Sequence, residues 1–140
     1  MLLPKKVKFR KWQTMRKNRA KAGVATRGAS LAFGSYGLKT DEQGRIRATH
    51  IESARKAVSK ELKKTGKMWI RVFPDMPYTA KPAEVGMGKG KGDPQGYQCI
   101  VNPGRVLFEI DGVTDEVARL ALRRAGDKMP VKTRIVTRHA

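Results

Sequence analysis

The segment Gly86-Met87-Gly88-Lys89-Gly90-Lys91-Gly92 has the residue types of a phosphate-binding loop. Alternating glycines let the backbone approach an anion closely, and the two lysines deliver point charges to it. Nucleotide hydrolysis needs more. A P-loop places four residues between its first glycine and a Gly-Lys-Ser/Thr triplet. No glycine here has that register, and neither lysine is followed by Ser or Thr, so the magnesium-binding hydroxyl is missing. The dinucleotide fingerprint fails as well: counted from Gly86 or Gly88, its third glycine falls on Lys91 or Asp93. What is left is a cationic loop suited to tracking irregular RNA, with Met87, Gly88, Lys89, Gly90 and Lys91 as its contact residues.

Other reactive residues are too few, or local structure already explains them. His50 and His139 lie far apart, and Cys99 is the single cysteine, so no zinc pattern exists. Asp41-Glu42 reads as part of a turn, and Asp115-Glu116 as a helix start favoured by the dipole. No nucleophile is paired along the chain with a base, although such pairs need not be sequential. The expectation is a binding protein with no catalytic residue, metal or cofactor.

Charge indicates what is bound. Among 140 residues, Lys and Arg number 31 against 12 acids, a formal net charge of +19. Solubility needs only about 2–8 charges on a small domain, and so large an excess repels itself until a polyanion relieves it. The excess is also clustered. Residues 1–28 form a basic arm carrying Lys5, Lys6, Lys8, Arg10, Lys11, Arg16, Lys17, Arg19 and Lys21, and the first acid is Asp41. Alone in water such an arm is expected to be disordered. Phe9, Trp12 and Met15 either dock on the domain or stack on unpaired bases. The arm is acid-free like an organellar transit peptide, but it is poor in Ser and lacks a sustained apolar face. No apolar run approaches the roughly 18 residues of a spanning helix, so no membrane partner is expected. The lone cysteine fits a reducing compartment.

These segments need a scaffold, and 140 residues suit one domain. We read residues 29–140 as that domain. Residues 29–39 look extended. Thr49 and Glu52 have capping-box spacing, Ile51, Ala54, Val58 and Leu62 form a helical stripe, and Gly66 suits a left-handed C-terminal cap. Arg55 and Lys56 lie off the stripe as candidate phosphate contacts. Met68–Phe73 reads as a strand, and residues 74–96 as a long Pro/Gly/Lys loop. Tyr97–Asn102 and Arg105–Asp111 read as a hairpin turned by Pro103-Gly104. A second helix starts near Thr114, with Val117, Leu120 and Ala121 on its apolar face. Residues 131–138 form a strand that places Lys132, Arg134 and Arg138 on one face. Grouped strands with two helices favour an α+β fold over a doubly wound one. Composition alone does not choose between RNA and DNA, and a DNA-binding chromatin-type protein is the rival reading.

The order of motifs does choose. Met1-Leu2-Leu3-Pro4-Lys5, Lys8-Phe9-Arg10-Lys11, Phe33-Gly34-Ser35-Tyr36-Gly37-Leu38-Lys39 and Ile51-Glu52-Ser53-Ala54-Arg55-Lys56-Ala57 occur in turn. Trp69-Ile70-Arg71-Val72-Phe73-Pro74-Asp75, Met87–Gly92, Pro103-Gly104-Arg105-Val106-Leu107-Phe108-Glu109 and Pro130-Val131-Lys132-Thr133 follow. In this series the chain resembles the bacterial-type large-subunit ribosomal protein L-sixteen family over nearly its whole length. The resemblance implies a two-layer α+β sandwich of mixed or antiparallel sheet with two helices, a basic N-terminal arm and a long Gly/Lys loop. It implies a cytoplasmic protein of the large ribosomal subunit, bound to 23S-type ribosomal RNA and to neighbouring subunit proteins, without homo-oligomers. It further implies contact with A-site transfer RNA, with P-site transfer RNA as a further partner, and a part in late subunit assembly. The chain departs from the family in its longer, more basic Arg16–Arg27 stretch, in Gly86 where many relatives carry arginine, and in Asp93–Tyr97.

Overall fold

The computed structural model describes residues 1–14 and 18–138. After a 3-10 turn at Arg19–Lys21 come β1 (Tyr36–Thr40), β2 (Gly44–Arg47), α1 (Ala48–Leu62), β3 (Lys67–Ile70), β4 (Met76–Ala80), β5 (Asp93–Val101), β6 (Val106–Asp111), α2 (Asp115–Gly126) and β7 (Thr133–Thr137). Two sheets form, ordered β3-β6-β1-β7 and β2-β5-β4, with antiparallel pairing throughout. The α+β expectation holds, and of mixed and antiparallel pairing the chain takes the second. The helices pack on each other, α2 against β1, β6 and β7, and α1 against β2 and β5. Leu38, Ile46, Val58, Phe108 and Leu122 fill the core between these layers.

Helix α1 forms on the expected stripe: Ile51, Ala54, Val58 and Leu62 are all buried. Each larger side chain there contributes about 1.5–3 kcal/mol. Both caps differ from the sequence reading. Strand β2 runs directly into the helix, so Arg47 is the last extended residue and becomes the N-cap, and its backbone N–H donates to His50 Nδ1 at 3.1 Å. Thr49 and Glu52 therefore lie inside the helix. The C-cap is Lys63, at φ 50, rather than Gly66. Helix α2 starts as expected, with Thr114 Oγ1 accepting the Val117 N–H at 3.4 Å. Its buried residues are Ala118, Ala121, Leu122 and Ala125, while Val117 and Leu120 are only half-buried. Alanines on that face let α1 and α2 approach closely.

Three strand expectations need correction. The Pro103-Gly104 turn forms, with Arg105 N–H donating to the Asn102 carbonyl at 3.2 Å. Its flanking strands make no hairpin, however, because β5 pairs with β2 and β4 whereas β6 pairs with β1 and β3. The turn is a crossing between sheets. The long loop is shorter than the composition suggested. Residues 76–80 form β4 and residues from 93 onward form β5, which leaves 81–92 as the tip of a hairpin. Pro77 is tolerated because β4 is an edge strand. Finally, residues 29–35 are not a strand.

Glu109 explains why. It lies on β6 and is fully buried. Its Oε1 accepts the N–H groups of Ala32, Phe33 and Gly34 at 2.9, 2.9 and 3.0 Å, and Arg71 donates to Oε2. Three consecutive amides converging on one oxygen are incompatible with a strand, where they would point alternately to either side. Burial pushes the Glu109 carboxyl up, but the Gly34 amide, Arg71 and the amides of Phe33 and Ala32 outweigh it and hold the group below the usual range. The segment passes so close to β6 that a methyl at Gly34 would stand 2.6 Å from the Ile110 carbonyl oxygen. Gly34→Ala is expected to lower stability by about 1–3 kcal/mol, the usual cost of overpacking, read as an earlier urea midpoint with an unchanged slope.

Candidate nucleic-acid interface

The two segments richest in candidate contacts lie about 80 residues apart in sequence and meet in space. Lys11 Nζ donates to the Lys91 carbonyl at 3.4 Å, and Lys91 Nζ donates to the Trp12 carbonyl. Lys81 Nζ donates to the Gly88 carbonyl within the loop. Each contact spends a lysine on a neutral carbonyl and leaves its positive charge uncompensated. Among the described residues no carboxylate pairs with Lys5, Lys6, Lys8, Arg10, Lys11, Lys89 or Lys91. These side chains are exposed, so the clasp is a cationic surface with its charges available.

The rest of the scaffold holds this surface up. Strands β4 and β5 carry the loop as the tip of their ladder. On the arm, Leu2, Pro4 and Val7 are half-buried while Lys5, Lys6 and Lys8 face solvent. Further along, Ala25 N–H donates to the Pro103 carbonyl at 2.8 Å, and Val106 N–H to the Gly28 carbonyl at 2.7 Å. Gly88 and Gly90 adopt φ of 95 and 90, conformations that glycine takes without strain. A side chain at Gly86, Gly88 or Gly90 would meet nothing within 4 Å, and Met87 is fully exposed. The loop tip supports no core.

Other expected contacts are placed separately. Lys56 is exposed on α1, but Arg55 is half-buried and tied to Glu52, whose carboxyl that hydrogen bond holds down at about 2. Lys132 is exposed, and Arg134 pairs with Asp41 at 3.1 Å. Lys21 is exposed near the 3-10 turn. Met15, Arg16, Lys17 and His139 lie outside the described residues, as does the side chain of Arg19. Trp12 is 40% exposed, and its carbonyl joins the clasp. Sequence reasoning missed Lys81, which lacks a motif, and Glu109, whose role needs partners from two distant segments.

Ionisation gives no sign of a reactive group. Burial, followed by the nearby Asp75, pushes the Cys99 thiol up to about 11, so it carries little thiolate at neutral pH. Burial and then Arg47 lower the His50 pKa, and the neutral ring caps α1. Among the described residues, no three of His, Cys, Asp or Glu converge in a way that could hold a metal, and no helix is long and apolar enough to cross a membrane.

Comparison with known proteins agrees with this picture. The family model described as ribosomal protein L16p/L10e matches residues 4–136. The large ribosomal subunit protein uL16 of Agrobacterium fabrum is 55% identical over 140 residues, which is 100% of this chain and 99% of the relative. The proteins of the same name from Rhizobium rhizogenes and Sinorhizobium medicae are each 54% identical with the same coverage.

Proposed function

This chain is a member of the ribosomal protein L16p/L10e family, and on that premise we infer that it is a structural, non-enzymatic constituent of the large ribosomal subunit. It binds large-subunit ribosomal RNA through its arm and loop, sits beside neighbouring subunit proteins and supports late assembly of the subunit. The clasped tip contacts A-site transfer RNA and, at its furthest reach, P-site transfer RNA. The observation that carries this reading is the clasp itself: a cationic arm and the Gly/Lys tip of the β4–β5 hairpin held together, with no carboxylate among the described residues pairing with their lysines. Neutralising phosphates with such lysines releases condensed counterions and supplies affinity, while the folded scaffold sets placement by RNA shape.

Sedimentation of the tagged protein from a lysate at low and high salt tests the assignment. Contacts to about six to ten phosphates alone lose roughly 10³–10⁵ in affinity between about 50 and 200 mM salt. Co-migration with the large subunit that survives high salt is expected of an integrated component. Protein left at the top of both gradients, with duplex DNA competing as well as ribosomal RNA, would favour the chromatin-type reading instead. A narrower prediction concerns the loop. Lys89→Ala with Lys91→Ala should leave thermal stability within about 0.5 kcal/mol, the usual range for surface changes, yet slow transfer-RNA accommodation or subunit maturation. Unchanged polysome profiles and elongation rates would remove the loop from the functional surface.

A further inference from the structure

The edge strand of the four-stranded sheet carries a second array of cations and aromatic rings, separate from the clasp. Strand β3 pairs only with β6, so its outer edge is open. Alternation along an extended chain puts Lys67, Trp69 and Arg71 on one face. Arg71 continues the ladder beyond the strand, its backbone N–H donating to the Leu107 carbonyl at 2.9 Å. Phe33 lies on this row. Its ring is stacked on Trp69 with centroids 5.9 Å apart and planes 18° from parallel. The Arg71 guanidinium stands 5.2 Å from the Phe33 centroid, and Lys67 Nζ 5.7 Å from the Trp69 centroid.

This array is fixed in advance. Glu109 sits opposite Trp69 in the β3–β6 register. One of its oxygens holds the backbone of residues 32–34 and the other holds Arg71, so a single buried carboxylate places both Phe33 and the cation beside it. Phe33 nevertheless remains 54% exposed. Phe33 is thus held at the surface against the half-buried Trp69, with the exposed Lys67 on one side and Arg71, ion-paired to Glu109, on the other.

We propose that Phe33 and Trp69, flanked by Lys67 and Arg71, form a stacking platform for an unpaired nucleotide of RNA. This rests on the RNA-binding reading above and adds the class of RNA feature that is bound. The exposed part of the Phe33 ring offers an unstacked base an aromatic surface, and Lys67, exposed and without a carboxylate partner among the described residues, offers its phosphate a cation. A duplex keeps its base faces stacked internally and offers nothing to the rings. A peptide added along the open edge of β3 would meet a cationic row on a chain of net charge +19, so charge complementarity favours RNA.

The test uses the full chain with Trp12→Phe, which leaves Trp69 as the single tryptophan. Single-stranded oligouridine and an RNA duplex of equal charge are titrated at low and near-physiological salt. Oligouridine is expected to quench Trp69 fluorescence, and the duplex is expected not to. Phe33→Leu should weaken oligouridine binding by about 5–150-fold, the worth of one base stack, without changing duplex affinity. Should that variant fold poorly, ultraviolet crosslinking in assembled large subunits reads the unaltered platform. A Phe33 or Trp69 adduct with an unpaired nucleotide supports the proposal. An adduct with a neighbouring protein, or quenching that does not distinguish the two RNAs, overturns it. Equal binding of both RNAs with no quenching sinks the platform but leaves RNA binding standing, whereas binding of neither RNA at low salt sinks both.

Discussion

Glu109→Gln is expected to lower the free energy of unfolding by about 3–5 kcal/mol, the cost of removing one partner from a buried, hydrogen-bonded ion pair. For a chain of this size that is a fall of roughly 10–20 °C in the thermal midpoint. The change is nearly isosteric, so the loss reflects charge rather than volume. Arg71 keeps its guanidinium without a counter-charge, and one of the two oxygens that hold residues 32–34 and Arg71 is replaced by a nitrogen donor. The dependence on pH has a definite sign. The folded carboxyl lies below its ordinary value of 4.5, so its contribution is fully present above that value and is lost as pH falls through the folded pKa. The stability gap between parent and Glu109→Gln should therefore be constant near neutrality and narrow below about pH 4.5. Circular dichroism melts at a series of pH values measure it, and a gap independent of pH would show that Glu109 is not held ionised. The same variant loosens Phe33, so it should also reduce the distinction between oligouridine and duplex.

Neutralising Lys5, Lys6, Lys8, Arg10 and Lys11 together should have the largest effect on binding. These side chains are exposed, and no described carboxylate competes for them. If each meets one phosphate, the slope of log affinity against log salt becomes shallower by about 3.5–4.5, and affinity near 0.2 M salt falls about 10²–10³-fold. Stability should change little, because the half-buried Leu2, Pro4 and Val7 are left in place. Filter binding to a large-subunit RNA fragment over a range of salt gives the slope directly. A parallel loss of affinity with an unchanged slope would mean that the arm acts by shape and not by counterion release. Lys11 has a second role through the Lys91 carbonyl. Lys11→Ala removes that bond and Lys91→Ala removes the return bond to the Trp12 carbonyl, so both loosen the same clasp, and combining them should give a non-additive loss.

The sequence by itself determined whatever depends on near neighbours. A stripe at helical spacing specified α1, Thr114 specified the start of α2, and Pro103-Gly104 specified a turn, because capping, periodicity and turn geometry act over a few residues. It also pointed to a polyanionic partner, since charge sums along the chain wherever the chain goes. Tertiary structure decided which strands pair. The Pro103-Gly104 turn has the same local chemistry whether it closes a hairpin or passes from one sheet to another, so the sequence suggests β5 and β6 as partners and the fold places them in different sheets. Residues 76–80 become strand β4 because β5 offers them an edge, although proline and short length argue against a strand locally. Residues 32–34 look extended, and only the distant carboxylate of Glu109 turns their amides to one side. The candidate surface was legible as two cationic segments, but their meeting was not. A lysine donating to a carbonyl about 80 residues away leaves no periodicity or spacing to read, and the fold alone brings Lys11 and Lys91 together.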